Sequence, residues 1–405
     1  MDPSFMEEKL SPYKCDGNEA IHFKLVRTAS DVTNDNTTFH PEMTHQIFGD
    51  SEAIFGYKDL KVEVYYSAAR LNTYVNMHFS DKVSPQKFDG VLADDVIKQV
   101  ADHMPPGFHS NLDEFIALLH KDASFKPFGE LKHSYTVTKD GNVRQFEIYQ
   151  TGIDTPGFRE YHERLQTFLL YYVDAASFID VDDDRWQFFL CFEKYKSNGN
   201  PMYAVAGYMT VYNYYAYPDS IRPRVSQMLV LPPFQRQGHG SQMLQTFYNG
   251  CYNRNDIRDI TVEDPSENFQ KMRDFVDAGN CMKLKEFQPE RLLEGFSDDM
   301  EWAARHKLKI NKRQARQVYE ILRLKATDMN NPEQAKAYRI DIKKRLNIPF
   351  QKNGKDFNKI SKTLSDDELS ATLQIPKEQR LAYLENTYKE ITDSYLKIIE
   401  KLAIS

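Results

Sequence analysis

Apolar and polar positions follow two periods along this chain, and the way the periods succeed one another predicts three parts. Up to about Ala123, β-prone runs at Lys61 to Tyr66 and Thr73 to Phe79 mix with helical stretches at Asp94 to Val100 and Leu112 to Leu119. That mixture predicts an α+β amino-terminal domain over 1–124. From Lys126 onward, strands are predicted around Ser134 to Thr138 and Phe146 to Gln150, then a helix from Phe158 to about Val173. In that helix Tyr161, Leu165, Phe168, Leu169 and Tyr172 recur at the three-to-four spacing of one buried face. Trp186 to Lys194 and Tyr203 to Tyr212 read as central strands joined by the turn Ser197-Asn198-Gly199-Asn200. With a strand from Val225 they predict a mixed sheet flanked by helices, in a domain over 125–265. After Pro265 the pattern turns helical: Glu267 to Val276, Pro289 to Phe296, Asp298 to Ala304, Asn311 to Lys325, Pro332 to Leu346, and Asp366 to the end. This makes a helical carboxy-terminal domain over 266–405, with Lys352-Asn353-Gly354-Lys355 as the expected flexible break.

The segment Val225 to Gly240, VSQMLVLPPFQRQGHG, carries the most chemistry. Val225, Met228, Leu229, Val230 and Leu231 are apolar or β-prone, and Pro232-Pro233 stops the strand because proline cannot extend a ladder. The turn Gln235-Arg236-Gln237-Gly238-His239-Gly240 then opens a helix from Ser241 to about Asn249. The helix's free amides and positive dipole end face any anion in the turn, and glycine lets a ligand approach the backbone, so phosphate is the expected ligand. A second strand, Ile257 to Val262, ends in the acidic pair Glu263-Asp264. The turn lacks the Lys-Ser/Thr ending of a nucleotide P-loop, and its glycines are not spaced Gly-x-Gly-x-x-Gly as a dinucleotide fold requires. By itself the pattern also suits an ordinary tight turn before a helix.

With its flanking strand and helix, the pattern resembles the coenzyme A site of the GCN5-related N-acetyltransferase superfamily, in which Gln/Arg-x-x-Gly-x-Gly/Ala follows a central strand. Gln235, Gly238 and Gly240 fit that signature.

Composition narrows the setting. Apolar residues make up 41% of 405 residues, with 24 Tyr and 26 Phe, which indicates a folded globular protein with ample core. No segment approaches the roughly 20 apolar residues of a membrane helix, and the start MDPSFMEEKL lacks the layout of a signal peptide. Cys15, Cys191, Cys251 and Cys281 are scattered without zinc spacing, so reduced thiols in cytosol or nucleus are expected. Ala303 to Lys362 holds 17 Lys/Arg against 5 Asp/Glu, a balance of 17 − 5 = +12, so the rest of a chain of net charge −7 carries −7 − 12 = −19. An acidic body favours a lysine-rich ligand and disfavours nonspecific nucleic acid. The basic segment is either a solvated helical face or a contact for nucleic acid or an acidic partner.

Five strings give a closer resemblance: FGYKDLKVEVYY (Phe55 to Tyr66), GFREYHERLQTFLLYYVDAASFIDVDDDRW (Gly157 to Trp186), GYMTVYNYY (Gly207 to Tyr215), RPRVSQML (Arg222 to Leu229) and INKRQARQVYEILRL (Ile310 to Leu324). In this order and over nearly the full chain they resemble the catalytic subunit of type B histone acetyltransferases. The resemblance implies acetyl transfer to lysines of newly made, non-nucleosomal histone H4, chiefly the fifth and twelfth residues of its tail. It further implies a WD-repeat propeller chaperone as partner, and a cytoplasmic and nuclear location. It implies that Met228, Leu229 and Val230 present backbone groups to the thioester and pantetheine arm of acetyl-CoA, that Gln235 to Gly240 cradle the pyrophosphate, and that Asn268, Phe269 and Arg273 complete the cofactor pocket. Glu263 matches the family's general base.

A lysine amine of pKa near 10.4 is almost all ammonium at neutral pH, so direct attack on a thioester needs a group that takes its proton. Without the family, Glu263 reads either as that base or as a surface or helix-capping carboxylate. Asp264 competes for the role, although neighbours on a strand point to opposite faces. Asp174 competes too, at a position where the family generally has glutamate. The run Asp180 to Trp186 suits a solvated turn or a calcium loop, but it lacks the glycine and terminal glutamate of the latter; the resemblance makes Trp186 and nearby acids line the groove for a basic tail. It gives the same role to Tyr212, Asn213 and Tyr214, and to Asp50, Ser51 and Glu52, with Ser51 replacing an acid common in relatives. The tyrosines Tyr212, Tyr214, Tyr215 and Tyr217 equally read as core. His162 reads as structural, since no His-Glu-x-x-His is present, and for His239 the backbone amide is expected to matter more than the ring. No metal is required by this chemistry. The other readings are an N-acetyltransferase for another protein or a polyamine, and a catalytically silent histone-binding scaffold.

Overall fold

The computed structural model describes residues 8–86, 88, 90–350 and 376–404. The expected break at 352–355 and the first part of the helix expected from Asp366 lie outside them. The fold is α+β and divides into two compact units, one of the chain up to Asn213 with Val225–Thr246, the other of Tyr214–Arg224 with the chain from Phe247 on.

Ile21–Val26 (β1), Lys61–Ser67 (β2) and Thr73–His78 (β3) form a mixed sheet in the first unit, with β1 parallel and β3 antiparallel to β2. Their residues are buried almost without alternation, as for a sheet covered on both faces. Helices His45–Phe48 (α1), Val96–Ala101 (α2) and Leu112–Leu118 (α3) stand within two residues of the sequence expectation where one was made.

The larger sheet runs Thr261–Val262 (β9), Ser220–Val230 (β8), Asn200–Ala216 (β7), Trp186–Ser197 (β6), Asn142–Thr151 (β5), Glu130–Lys139 (β4) in spatial order. Two-residue turns fix its register. Asp140-Gly141 and Asn198-Gly199 all take positive φ, the requirement of the tight turn whose twist matches paired strands. Lys139 therefore faces Asn142, and Ser197 faces Asn200. Gly207 on β7 is a required glycine, since a Cβ there would stand 2.4 Å from the Leu229 carbonyl oxygen on β8.

Two expectations are corrected. The single helix from Phe158 to Val173 is two: Phe158–Gln166 (α4) and Leu169–Tyr172 (α5). Thr167 Oγ1 donates to the Arg164 carbonyl at 2.7 Å, and Leu170 N–H reaches back only three residues to the Thr167 carbonyl, so the chain tightens and turns. The strand expected over Ile257 to Val262 is reduced to Thr261–Val262, because the backbone changes partner along it. Arg258 N–H bonds the Ile221 carbonyl and Ile260 N–H bonds that of Lys309, leaving isolated bridges in place of a ladder.

His239–Cys251 (α6) follows β8. The second unit is dominated by Glu267–Cys281 (α7), Pro289–Glu294 (α8), Asp298–Leu308 (α9), Lys312–Ala326 (α10), Pro332–Leu346 (α11) and Lys377–Ile404 (α12). Their core includes Phe287, Met300, Tyr319, Ile321, Tyr338 and Ile398. Most described lysines of the basic stretch are exposed, as for a solvated face, but three of its arginines turn inward. Glu320, fully buried on α10, accepts from Arg316, Arg345 and Tyr395, while Asp341 on α11 accepts from Arg316, Arg323 and Tyr319. Burial works to raise the Asp341 carboxyl, but the arginine and tyrosine contacts outweigh it and hold it below its usual range.

Candidate active site

Strand β8 ends at Val230 and Pro232–Phe234 makes one 3-10 turn, so the sequence reading of the strand stop stands. The loop beyond it is shaped by its own side chains. Gln235 Nε2 donates to the Val230 carbonyl at 3.0 Å, and Gln237 Nε2 to that of Pro233 at 3.2 Å, while Gln237 Oε1 accepts from Arg144. Arg236 takes φ 61° and Gly238 φ 86°, so the chain turns sharply on its way into α6. The first helical bond of α6 is Gln242 N–H to the Gly238 carbonyl at 3.1 Å, so the amides of His239, Gly240 and Ser241 have no acceptor inside the helix. No atom lies within 4 Å of where a Cβ on Gly238 would stand. Amides without a helical acceptor, open space at Gly238 and the exposed Arg236 side chain fit a diphosphate.

The ring of His239 has a separate task. It is buried beneath the loop, with Nδ1 2.7 Å from the Tyr135 hydroxyl and its centroid 4.1 Å from that of Phe146. Burial, with the Arg144 charge, pushes it down to about 4, and burial alone pushes His162 on α4 down to about 4. Both rings therefore fold neutral, whereas an unfolded chain protonates them near pH 6.5. Between about pH 6.5 and 4 the unfolded state binds more protons, so stability falls as pH drops through that window. Each ring is expected to cost about 2 kcal/mol at pH 5 relative to pH 7. Urea midpoints at the two pH values check this. His162→Leu should flatten the dependence, and an unaltered slope would mean that the ring titrates normally.

Also in the first unit, Trp186 and Tyr212 pack edge to face with centroids 4.8 Å apart, and the Tyr212 hydroxyl donates to Asp183 at 2.8 Å. Hydrogen bonds from Arg185, then from Tyr212, hold the Asp183 carboxyl well below the usual range. Asp182 pairs with Arg159 at 2.8 Å, so arginines engage the aspartate run. Asn213 Oδ1 is buried without a hydrogen-bond partner. Asp50 and Ser51 are exposed, but the Glu52 carboxylate accepts from the amides of Thr44 and His45 and from Asn18, which caps α1. Asp174 is 80% exposed, with His45 Nε2 3.2 Å away, and the other nitrogen of His45 stands 3.7 Å from Glu52. His45 thus joins two residues singled out from sequence, although a lone histidine opening a short helix carried no signal of it.

In the second unit, Glu263 lies just past β9, its side chain 45% exposed and 3.8 Å from Arg224 Nη1. The Arg224 guanidinium in turn lies 4.5 Å over the Tyr214 ring. Strand alternation does not reach Asp264, since β9 stops at Val262 and Asp264 takes φ 31°. Ser266 caps α7 by accepting from Phe269 N–H at 3.2 Å, with Asn268 exposed in the first turn. Arg273 is turned inward. Its Nη2 donates to the Ile260 carbonyl at 3.2 Å and its Nε stands 3.5 Å from the buried Asp277 carboxylate. Its side chain therefore ties α7 to the start of β9. Tyr214, Tyr215 and Tyr217 are exposed, which corrects the reading of them as core.

A central strand that delivers a turn like Gln235 to Gly240 at a helix start fits an acetyltransferase, and relatives named as histone acetyltransferases show that this is the class of protein. Residues 13–174 match the family described as Histone acetyl transferase HAT1 N-terminus, and residues 273–324 the one described as Histone acetyltransferase type B catalytic subunit, C-terminal. The mouse protein of that latter name is 50% identical over 99% of this chain and 97% of its own length; the human one is 49% identical over 99% and 96%. One from Cryptococcus neoformans is 30% identical over 97% and 99%. This chain belongs to the family of type B histone acetyltransferase catalytic subunits. Among solved structures, an aminoglycoside acetyltransferase from a soil metagenome matches 32% of this chain and 84% of its own, at 17% identity and TM-score 0.23.

Proposed function

We propose that this chain transfers the acetyl group of acetyl-CoA to lysines of the tail of newly made, non-nucleosomal histone H4, at the fifth and twelfth positions, by direct amine attack. The observation that carries the reading is the loop from Gln235 to Gly240, with the amides at the start of α6 left without a helical acceptor and open space at Gly238. Acetyl-CoA supplies a thioester, which needs no acyl-enzyme when an amine is the nucleophile. Gln235 to Gly240 bind the diphosphate, and backbone groups of Met228, Leu229 and Val230 position the arm and polarise the carbonyl. Glu263 takes the proton from the substrate ammonium. Arg224, beside it, orients that carboxylate. Trp186, Tyr212 and nearby acids of the Asp180 to Asp184 run receive a basic tail, the rings packing on lysine stems. A WD-repeat propeller chaperone is the proposed partner, with both cytoplasmic and nuclear residence.

The experiment is acetyl transfer from labelled acetyl-CoA to a panel of free histone tail peptides and spermidine, with mass spectrometry locating the product. Acetylation mainly of the H4 tail is expected. Transfer to spermidine alone would make it a polyamine enzyme, and cofactor binding with no transfer would make it a scaffold. The loop is tested separately by Gly238→Glu. A side chain at φ 86° is strained and its carboxylate meets the diphosphate, so coenzyme A affinity should drop on the order of a hundredfold by calorimetry. Retained affinity would place the diphosphate elsewhere.

A further inference from the structure

Glu263 follows a strand of only two residues, too short a ladder to fix a carboxylate by itself. The backbone just before β9 is held instead by the helical part of the same unit. Ile260 N–H donates to the Lys309 carbonyl at 2.8 Å, and Lys309 closes α9 at φ 59°, in the left-handed region that favours glycine. The Ile260 carbonyl, in the peptide bond that leads into β9, accepts from Arg273 Nη2 and from Asn311 Nδ2, each at 3.2 Å. Both lone pairs of that oxygen are thus taken by side chains, one on α7 and one at the start of α10. One residue earlier, the Asp259 carboxylate accepts two bonds from Arg222 of β8. Asn311 joins these parts. Its Oδ1 caps α10 by accepting from Gln314 N–H at 3.0 Å, while its amide nitrogen reaches back to Ile260. Helix α10 is itself fixed by Ala315, Val318 and Tyr319, all fully buried, so its position is passed to a peptide group three residues before Glu263.

We propose that Asn311, with Arg273, is a positioning residue for acetyl transfer: by holding the Ile260 carbonyl it sets the place of the Glu263 carboxylate. The inference rests on the reading of Glu263 as the base. Asn311→Asp keeps the oxygen that caps α10 and turns a carboxylate oxygen toward the carbonyl in place of the donor. Asn311→Ser keeps a capping oxygen without the second arm and without a charge. Misplacing a reacting group by about 1 Å costs up to about a hundredfold, so both variants should lower kcat on an H4 tail peptide at pH 7 by about tenfold to a hundredfold. Acetyl-CoA affinity and the urea midpoint should match the parent, and the deficit should shrink toward pH 9.5 as more of the lysine arrives deprotonated. In a Glu263→Gln background the same substitutions should change kcat by less than about twofold, because no base is left to position. A loss of equal size in both backgrounds would assign Asn311 a structural role, and parental kcat in both Asn311 variants would mean that the Ile260 carbonyl does not set the base; either result overturns the proposal. The base assignment fails on a different reading: Glu263→Gln alone as fast as the parent removes the base, and this proposal with it. Should neither Asn311 variant fold, Arg273→Lys, which keeps a charge beside Asp277, takes their place in the same cycle.

Discussion

Glu263→Gln is expected to lower kcat at neutral pH by 10²–10⁴-fold, on the order of what a positioned general base contributes, while leaving acetyl-CoA affinity and the fold unchanged. The substitution keeps shape and removes only the ability to accept a proton. Glu263 sits half-exposed just past a two-residue strand, so the stability cost should stay within about 0.5 kcal/mol. The deficit should shrink as pH rises toward the lysine's own pKa of about 10.4, because more of the substrate then arrives already deprotonated. Steady-state rates from pH 7 to 9.5 separate this from a binding defect, which would persist at all pH values. A variant as fast as the parent at pH 7 would move the proton acceptor to Asp264 or Asp174. Asp174 is the weaker substitute on present geometry, since His45 already stands at its carboxylate.

The parts of this molecule legible in its sequence are those set by neighbours along the chain. The Asn198-Gly199 turn announces its hairpin, and Pro332 to Leu346 is a helix from end to end as its spacing and starting proline predict. The Gln235 to Gly240 loop is legible for the same reason, because its shape is made by its own glutamines and glycine. What was not legible depends on partners distant in sequence. Nothing near Ile257 says that the backbone there switches acceptor from Ile221 to Lys309, and nothing on α7 says that the Ile260 carbonyl draws the Arg273 side chain inward. The break after Gln166 is the exception, a local one, in which the Thr167 hydroxyl bonds a carbonyl three residues back and the apolar spacing continues across it. The destination of the His239 ring depends on Tyr135 and Phe146, about a hundred residues earlier.

Dependence on distant partners also gives three arginines of the basic stretch a measurable part in stability. Glu320 is fully buried on α10, and its carboxylate is shared by Arg316 of the same helix, Arg345 of α11 and the Tyr395 hydroxyl of α12. Asp341 takes the rest of Arg316 and Arg323, so two acids hold three arginines among three helices. A buried ion set of this kind adds little over well-packed apolar residues, but removing one member leaves the others charged and dry. Glu320→Gln is therefore expected to cost about 3–5 kcal/mol, read as a fall in the urea midpoint of the second unit. Gln keeps the hydrogen bond to one arginine but meets neither positive charge. Adding Arg316→Met and Arg345→Met to Glu320→Met removes the stranded charges, so this triple variant should recover most of the loss. A loss below about 1 kcal/mol for Glu320→Gln would mean that water reaches the cluster and that the helices are joined by their apolar faces alone.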